Sequence, residues 1–166
     1  DKVQTVNPLI RIPALILDDG ETLIDSAVIL DALDHMVSPD NALTPRDGAE
    51  RRQIMSLVTL ATGAAEKAVI VRMERSFRPK EKIYEPWMEH CEGQTKGGIE
   101  ALDKKAKMPW IAGERMTQAD ITAVVVWEFL NIINPELTNR ISCPNLVEIT
   151  ARLTDTLPFT DTRPTL

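Results

Sequence analysis

A chain of 166 residues and 18.5 kDa can bury a hydrophobic core without disulfide or metal staples. Its composition, 43% hydrophobic and 27% charged, is that of a globular protein, and no apolar run approaches the roughly 18 residues of a membrane span, so a membrane partner is not expected. A formal charge of -6 sets up a field that repels a phosphate backbone, which argues against nucleic acid as a partner.

In chain order, Ala14-Leu15-Ile16-Leu17 reads as a strand. Asp18-Asp19-Gly20 follows as a turn with Gly20 free to take positive φ, and Glu21 to Ile24 returns as a second strand, making a β-hairpin. At Asp25-Ser26 the pattern changes. Either residue can cap a helix, and Ile29, Leu33, Met36 and Val37 recur at helical spacing until Ser-Pro-Asp-Asn breaks it. A lone hairpin and helix leave strand edges and an apolar helix face uncovered, so this piece must pack on something.

From Arg46 the chain is helical in character. Ile54, Leu57, Val58, Ala61, Ala64, Ala65 and Ala68 trace one apolar stripe, and Pro79 ends the helix just before it, giving roughly 30 residues. Tyr84, Trp87, Cys91, Gly98 and Leu102 mark a second helix, closing in a lysine-rich stretch that suits a helix C-terminus and expected to lie antiparallel to the first. A third opens at Thr117, where Thr117 and Asp120 form a capping box and Met116 and Ile121 a hydrophobic staple. Ile121, Val124, Val125, Val126 and Trp127 make it apolar almost all round, which predicts the buried centre of a bundle. A fourth runs from about Pro144 to Thr156, with Leu146, Ile149 and Leu153 inward.

Several residue types are candidates for chemistry. Cys91 and Cys143 lack metal-ligand spacing, as do His35 and His90, so no metal site is expected. Cys91 falls on an apolar stripe, whereas Cys143, at a helix start, is placed where a thiol pKa can be lowered. Glu66, Arg72, Glu74 and Arg75 on the long helix line either a substrate groove or a row of surface ion pairs. Ile12-Pro13 opens the first strand, where a proline is tolerated as a strand-start residue. Asp25-Ser26 has a further reading beyond capping. Free N–H groups at a helix start, a hydroxyl and the positive dipole end suit a carboxylate, and Asp25 suits a neighbouring ammonium; together they describe an α-amino acid head.

The combination Asn-Pro-Leu-Ile-Arg-Ile-Pro-Ala-Leu, then Asp25-Ser26, then Ile-Ala-Gly-Glu-Arg-Met-Thr-Gln-Ala-Asp, closing on Leu-Pro-Phe-Thr-Asp-Thr-Arg-Pro-Thr-Leu, resembles the glutathione transferase superfamily along essentially the whole chain. The resemblance implies an α+β fold: a partial thioredoxin-like, glutathione-binding domain (hairpin plus helix) over residues 1–37, a linker over 38–45, and an all-α C-terminal helical bundle over 46–166. It implies a cis Pro13. Ile12 would offer its backbone to the cysteinyl part of glutathione, Asp25 and Ser26 would hold the γ-glutamyl ammonium and carboxylate, and Arg11 would stand near a carboxylate. Ile10 occupies a position where members usually carry Gly, and Asp25 one where Glu is commoner.

Glutathione enters as substrate rather than cofactor, with a small electrophilic co-substrate, a homodimer and a cytoplasmic location expected. The resemblance also implies that the thiol-activating Ser, Cys or Tyr lies upstream of Asp1, in a first quarter outside this sequence, and that the chain alone is inactive. The alternative is a non-catalytic binding or assembly module of the same fold.

Overall fold

The computed structural model describes residues 2–163; Asp1 lies outside them, and the closing family-like motif is described only as far as Arg163. The chain divides into two compact units, Asp1–Arg51 and Arg52–Leu166.

In the first unit, a short helix α1 (Lys2–Val6) precedes β1 (Ala14–Ile16), β2 (Thr22–Ile24) and α2 (Ser26–Met36). The strands pair antiparallel, Ala14 opposite Ile24 and Ile16 opposite Thr22. Gly20 sits at φ 92°, its N–H donating to the Leu17 carbonyl, while Asp19 Oδ1 accepts the Glu21 N–H at 2.9 Å; the Asp-Asp-Gly stretch supplies both the side-chain turn and the left-handed residue the hairpin needs. Residues 38–45 carry no regular element, yet they are pinned: the buried Asp34 carboxylate accepts the N–H groups of Leu43 (2.7 Å) and Thr44 (3.0 Å). Of the apolar positions that recur along α2, Ile29 is half-buried, whereas Leu33 is 44% and Met36 57% exposed.

The second unit is helical. α3 (Gly48–Phe77, 30 residues), whose first turn contains the boundary between the units, is followed by α4 (Glu85–Lys105), α5 (Gln118–Ile133), α6 (Pro135–Thr138), α7 (Pro144–Thr154) and α8 (Leu157–Thr162). α3 and α4 run antiparallel: Thr95 Oγ1 donates to the Ala64 carbonyl at 3.2 Å, Val71 packs with Met88 and Cys91, and Arg75 bridges Glu92 at 2.7 Å. Small residues set the approach, since a Cβ on Gly98 would lie only 3.1 Å from that of Ala64. The main core gathers Ile54, Leu57 and Ala61 of α3, Ile99 and Leu102 of α4, Val124 and Leu130 of α5 and Ile149 of α7.

The α5 start is built as its sequence dictates. Asp120, 0% exposed, accepts the Thr117 N–H (2.8 Å) and hydroxyl (2.9 Å) on one oxygen and the Ile111 N–H (2.7 Å) on the other, completing the capping box and tying the 106–116 loop to the helix. Arg152 of α7 holds the same loop from another side, its guanidinium lying 4.4 Å from the Trp110 ring centroid.

Two expectations need correction. α5 is not buried all round: Val125 is 52% and Ile132 45% exposed, because an apolar period fixes which side is greasy without ensuring a neighbour for every side. And α3 is, by length and composition alone, apolar enough to cross a membrane, although its Ile54, Leu57, Ala61 and Ala64 form part of the bundle core.

Candidate functional site

The hairpin register determines what meets at its open end. Ala14 and Ile24 are the last paired residues, so Pro13 and Asp25 are the next step outward, and the Asp25 N–H donates to the Pro13 carbonyl at 3.3 Å. Ile12-Pro13 is cis. Ile12 is 81% exposed, and among the described residues its N–H and carbonyl have no intramolecular partner. One bond away, Asp25 caps α2 by accepting the Ala27 N–H on Oδ1 at 3.0 Å, and its Oδ2 has no partner among the described residues. Its backbone sits at φ 75°, ψ 138°, a conformation an L-residue adopts only when its surroundings enforce it. Ser26 follows, exposed, at the first position of α2, where N–H groups and the positive end of the helix dipole face solvent. Arg11 is exposed and makes no ion pair among the described residues.

Ile12, Pro13, Asp25 and Ser26 are thus brought to one edge of the first unit, presenting an unsatisfied peptide unit beside a half-used carboxylate and a helix start. Arg11 is next to them in sequence, but among the described residues no hydrogen bond or ion pair joins its side chain to the others.

Ile10 occupies the left-handed region at φ 54°. A β-branched side chain is strained there, which gives a physical reason for glycine at this position. Replacing Ile10→Gly is expected to stabilise the protein by about 1 kcal/mol, the relieved strain outweighing the added chain entropy, read as a higher denaturant midpoint.

The other candidates resolve into structure. Cys91 is fully buried in a satellite core with Val71 and Met88. Cys143 is also buried, and its thiol pKa is pushed up to about 12, first by burial and then by the carboxylates of Asp103 and Glu100. This reverses the expectation that a helix start lowers it. Since the neutral thiol is favoured in the folded state, its contribution to stability is intact below the ordinary thiol pKa near 9 and fades as pH climbs towards 12. At pH 8 the native protein should therefore resist alkylation by iodoacetamide at both cysteines and react fully once unfolded. Rapid modification of either in the native state would contradict this placement.

His35 Nδ1 contacts the Asp31 carbonyl and His90 stacks on Trp87. Among the described residues no His, Cys, Asp and Glu cluster could hold a metal. Arg75 is engaged by Glu92, and Glu74 by Arg78, so these long-helix charges act as ion pairs.

A proline-led hairpin and capped helix, continued in sequence by an all-α bundle whose α5 opens on a buried Thr–Asp box, define the architecture of glutathione transferases. Residues 1–36 match the glutathione S-transferase N-terminal domain and residues 65–155 the glutathione S-transferase C-terminal domain, and the chain belongs to this family. It is 30% identical over 122 residues to maleylacetoacetate isomerase of Pseudomonas aeruginosa, covering 72% of this chain and 56% of that one, so it spans about half the length of this curated relative. A glutathione transferase family member from Pseudomonas fluorescens Pf-5, solved with bound glutathione, superposes with a TM-score of 0.83 at 32% identity, covering 99% of this chain and 79% of the other. A glutathione S-transferase from Methylobacillus flagellatus, also with glutathione bound, gives 0.89 at 31% identity over 98% of this chain and 80% of its own.

Proposed function

We propose that this chain carries the tripeptide-recognition part of a glutathione transferase that joins the glutathione thiolate to a small electrophilic, largely apolar substrate. The observation that carries the reading is the bond from the Asp25 N–H to the Pro13 carbonyl. It sets an unpaired, strand-like peptide at Ile12 beside a helix start bearing a carboxylate and a hydroxyl. A γ-glutamyl peptide has the complementary parts. Its ammonium suits the free oxygen of Asp25, its carboxylate suits the hydroxyl and N–H of Ser26, and its cysteinyl backbone suits a two-bond contact with Ile12. Pro13 shapes the turn, and Arg11 adds positive charge for a second carboxylate.

In the reaction, the sulfur of bound glutathione forms a C–S bond to the electrophilic carbon, and the leaving group departs with the displaced electron pair. What these residues supply is orientation and an enforced encounter. Both cysteines are buried, so neither is placed to activate a bound glutathione thiol. The isomerase relative is compatible with an isomerisation built on the same thiolate. A cytoplasmic homodimer is the proposed setting.

Calorimetric titration tests the reading by comparing glutathione with the dipeptide Cys-Gly, which lacks the γ-glutamyl head. Glutathione should bind at least tenfold more tightly, because the head makes the charge-assisted contacts. Equal affinity for the two, or no binding of either, overturns the assignment of Asp25 and Ser26.

A further inference from the structure

Residues 7–11 are wound around one side chain. Asn7 is 2% exposed, and its backbone and carboxamide both bond at each end. Its N–H donates to the Val3 carbonyl (2.8 Å), and its carbonyl accepts the Ile10 N–H (2.9 Å). Its Oδ1 accepts the Leu9 N–H at 3.0 Å, and its Nδ2 donates to the Arg11 carbonyl at 2.8 Å. The last of these reaches furthest. The Arg11 carbonyl and the Ile12 N–H belong to one planar trans peptide unit and point in opposite directions, so fixing the oxygen aims the N–H.

We infer that Asn7 is the positioning residue for the site proposed above, orienting the Ile12 peptide for its contact with the glutathione backbone. The inference rests on that glutathione reading and adds to it a residue that touches no substrate. Asparagine suits the task because it accepts and donates across one short amide. Glutamine is a methylene too long, and aspartate keeps the acceptor for Leu9 while losing the donor for Arg11. Asn7→Asp is therefore the informative variant, since it removes only the bond that aims Ile12 and sets a carboxylate against a carbonyl oxygen.

The test is a glutathione titration of ¹⁵N-labelled protein, following the Ile12 and Ser26 amides separately. In the wild type both should shift. In N7D the affinity should fall roughly tenfold, with the Ser26 shift reached at higher glutathione and the Ile12 shift lost. The N7D/I10G double variant, which relieves the strained neighbour, repeats the measurement on a more stable loop and should show the same split.

Wild-type affinity together with a retained Ile12 shift in N7D overturns the inference. So does parallel loss of both shifts in the double variant, which marks a merely structural residue. A wild type whose two amides both ignore glutathione sinks the glutathione reading and this inference with it, and that outcome is visible before any variant is made.

Discussion

Asp120→Ala should destabilise the helical unit by about 3–5 kcal/mol, a large share of the roughly 5–15 kcal/mol that holds a domain together. The carboxylate is fully buried and is the shared acceptor for the N–H groups of Ile111 and Thr117 and for the Thr117 hydroxyl. Removing it strands buried donors on both the loop and the helix start, and each stranded donor costs about 1–3 kcal/mol. Asp120→Asn is the sharper comparison. It keeps shape and one acceptor oxygen, but its NH₂ meets a donor on the other side, so about half or more of the loss should remain. Chemical denaturation followed by far-UV circular dichroism reads both. A change below about 1 kcal/mol for the alanine variant would mean that water replaces the carboxylate and the loop is not held from this point.

That box was legible because both of its partners lie within four residues of sequence and an apolar run follows at once. The 30-residue α3 was legible for a similar reason, since its stripe is long and a proline stops it. The short α6 and α8, of 4 and 6 residues, offer too few turns for a period to declare itself. Burial was the weaker reading. Periodicity located the apolar sides of α2 and α5, but whether Met36 or Val125 is covered depends on elements that spacing does not specify.

The same limit governs the site. Cys143 sits at a helix start, which sequence can see, but its thiol is kept neutral first by burial and then by the carboxylates of Asp103 and Glu100, about forty positions away. Asn7 carries a local signal in the residue that follows it. An Asn-Pro pair favours an Asx-type turn, and the Oδ1 bond to the Leu9 N–H is that turn.

Asp25→Gly should separate stability from recognition in one substitution. Asp25 sits at φ 75°, ψ 138°, a conformation glycine adopts freely, so the backbone gains what the L-residue gives up, on the order of 1–3 kcal/mol. Against this stand the extra entropy of glycine in the unfolded chain, about 0.5–1 kcal/mol, and a cap loss of only a few tenths. The denaturation midpoint is therefore expected to hold or rise. Glutathione affinity should move the other way, by roughly ten- to a hundredfold, because the carboxylate proposed to hold the γ-glutamyl ammonium is gone. Asp25→Asn serves as the companion. It keeps the strained backbone and the Ala27 cap while removing the charge, so it should share the affinity loss without the gain in stability. A glycine variant that is more stable and binds glutathione as tightly as the wild type would show that the strain at Asp25 serves neither the fold nor the ligand. It would also leave the helix start alone to account for recognition of the tripeptide head.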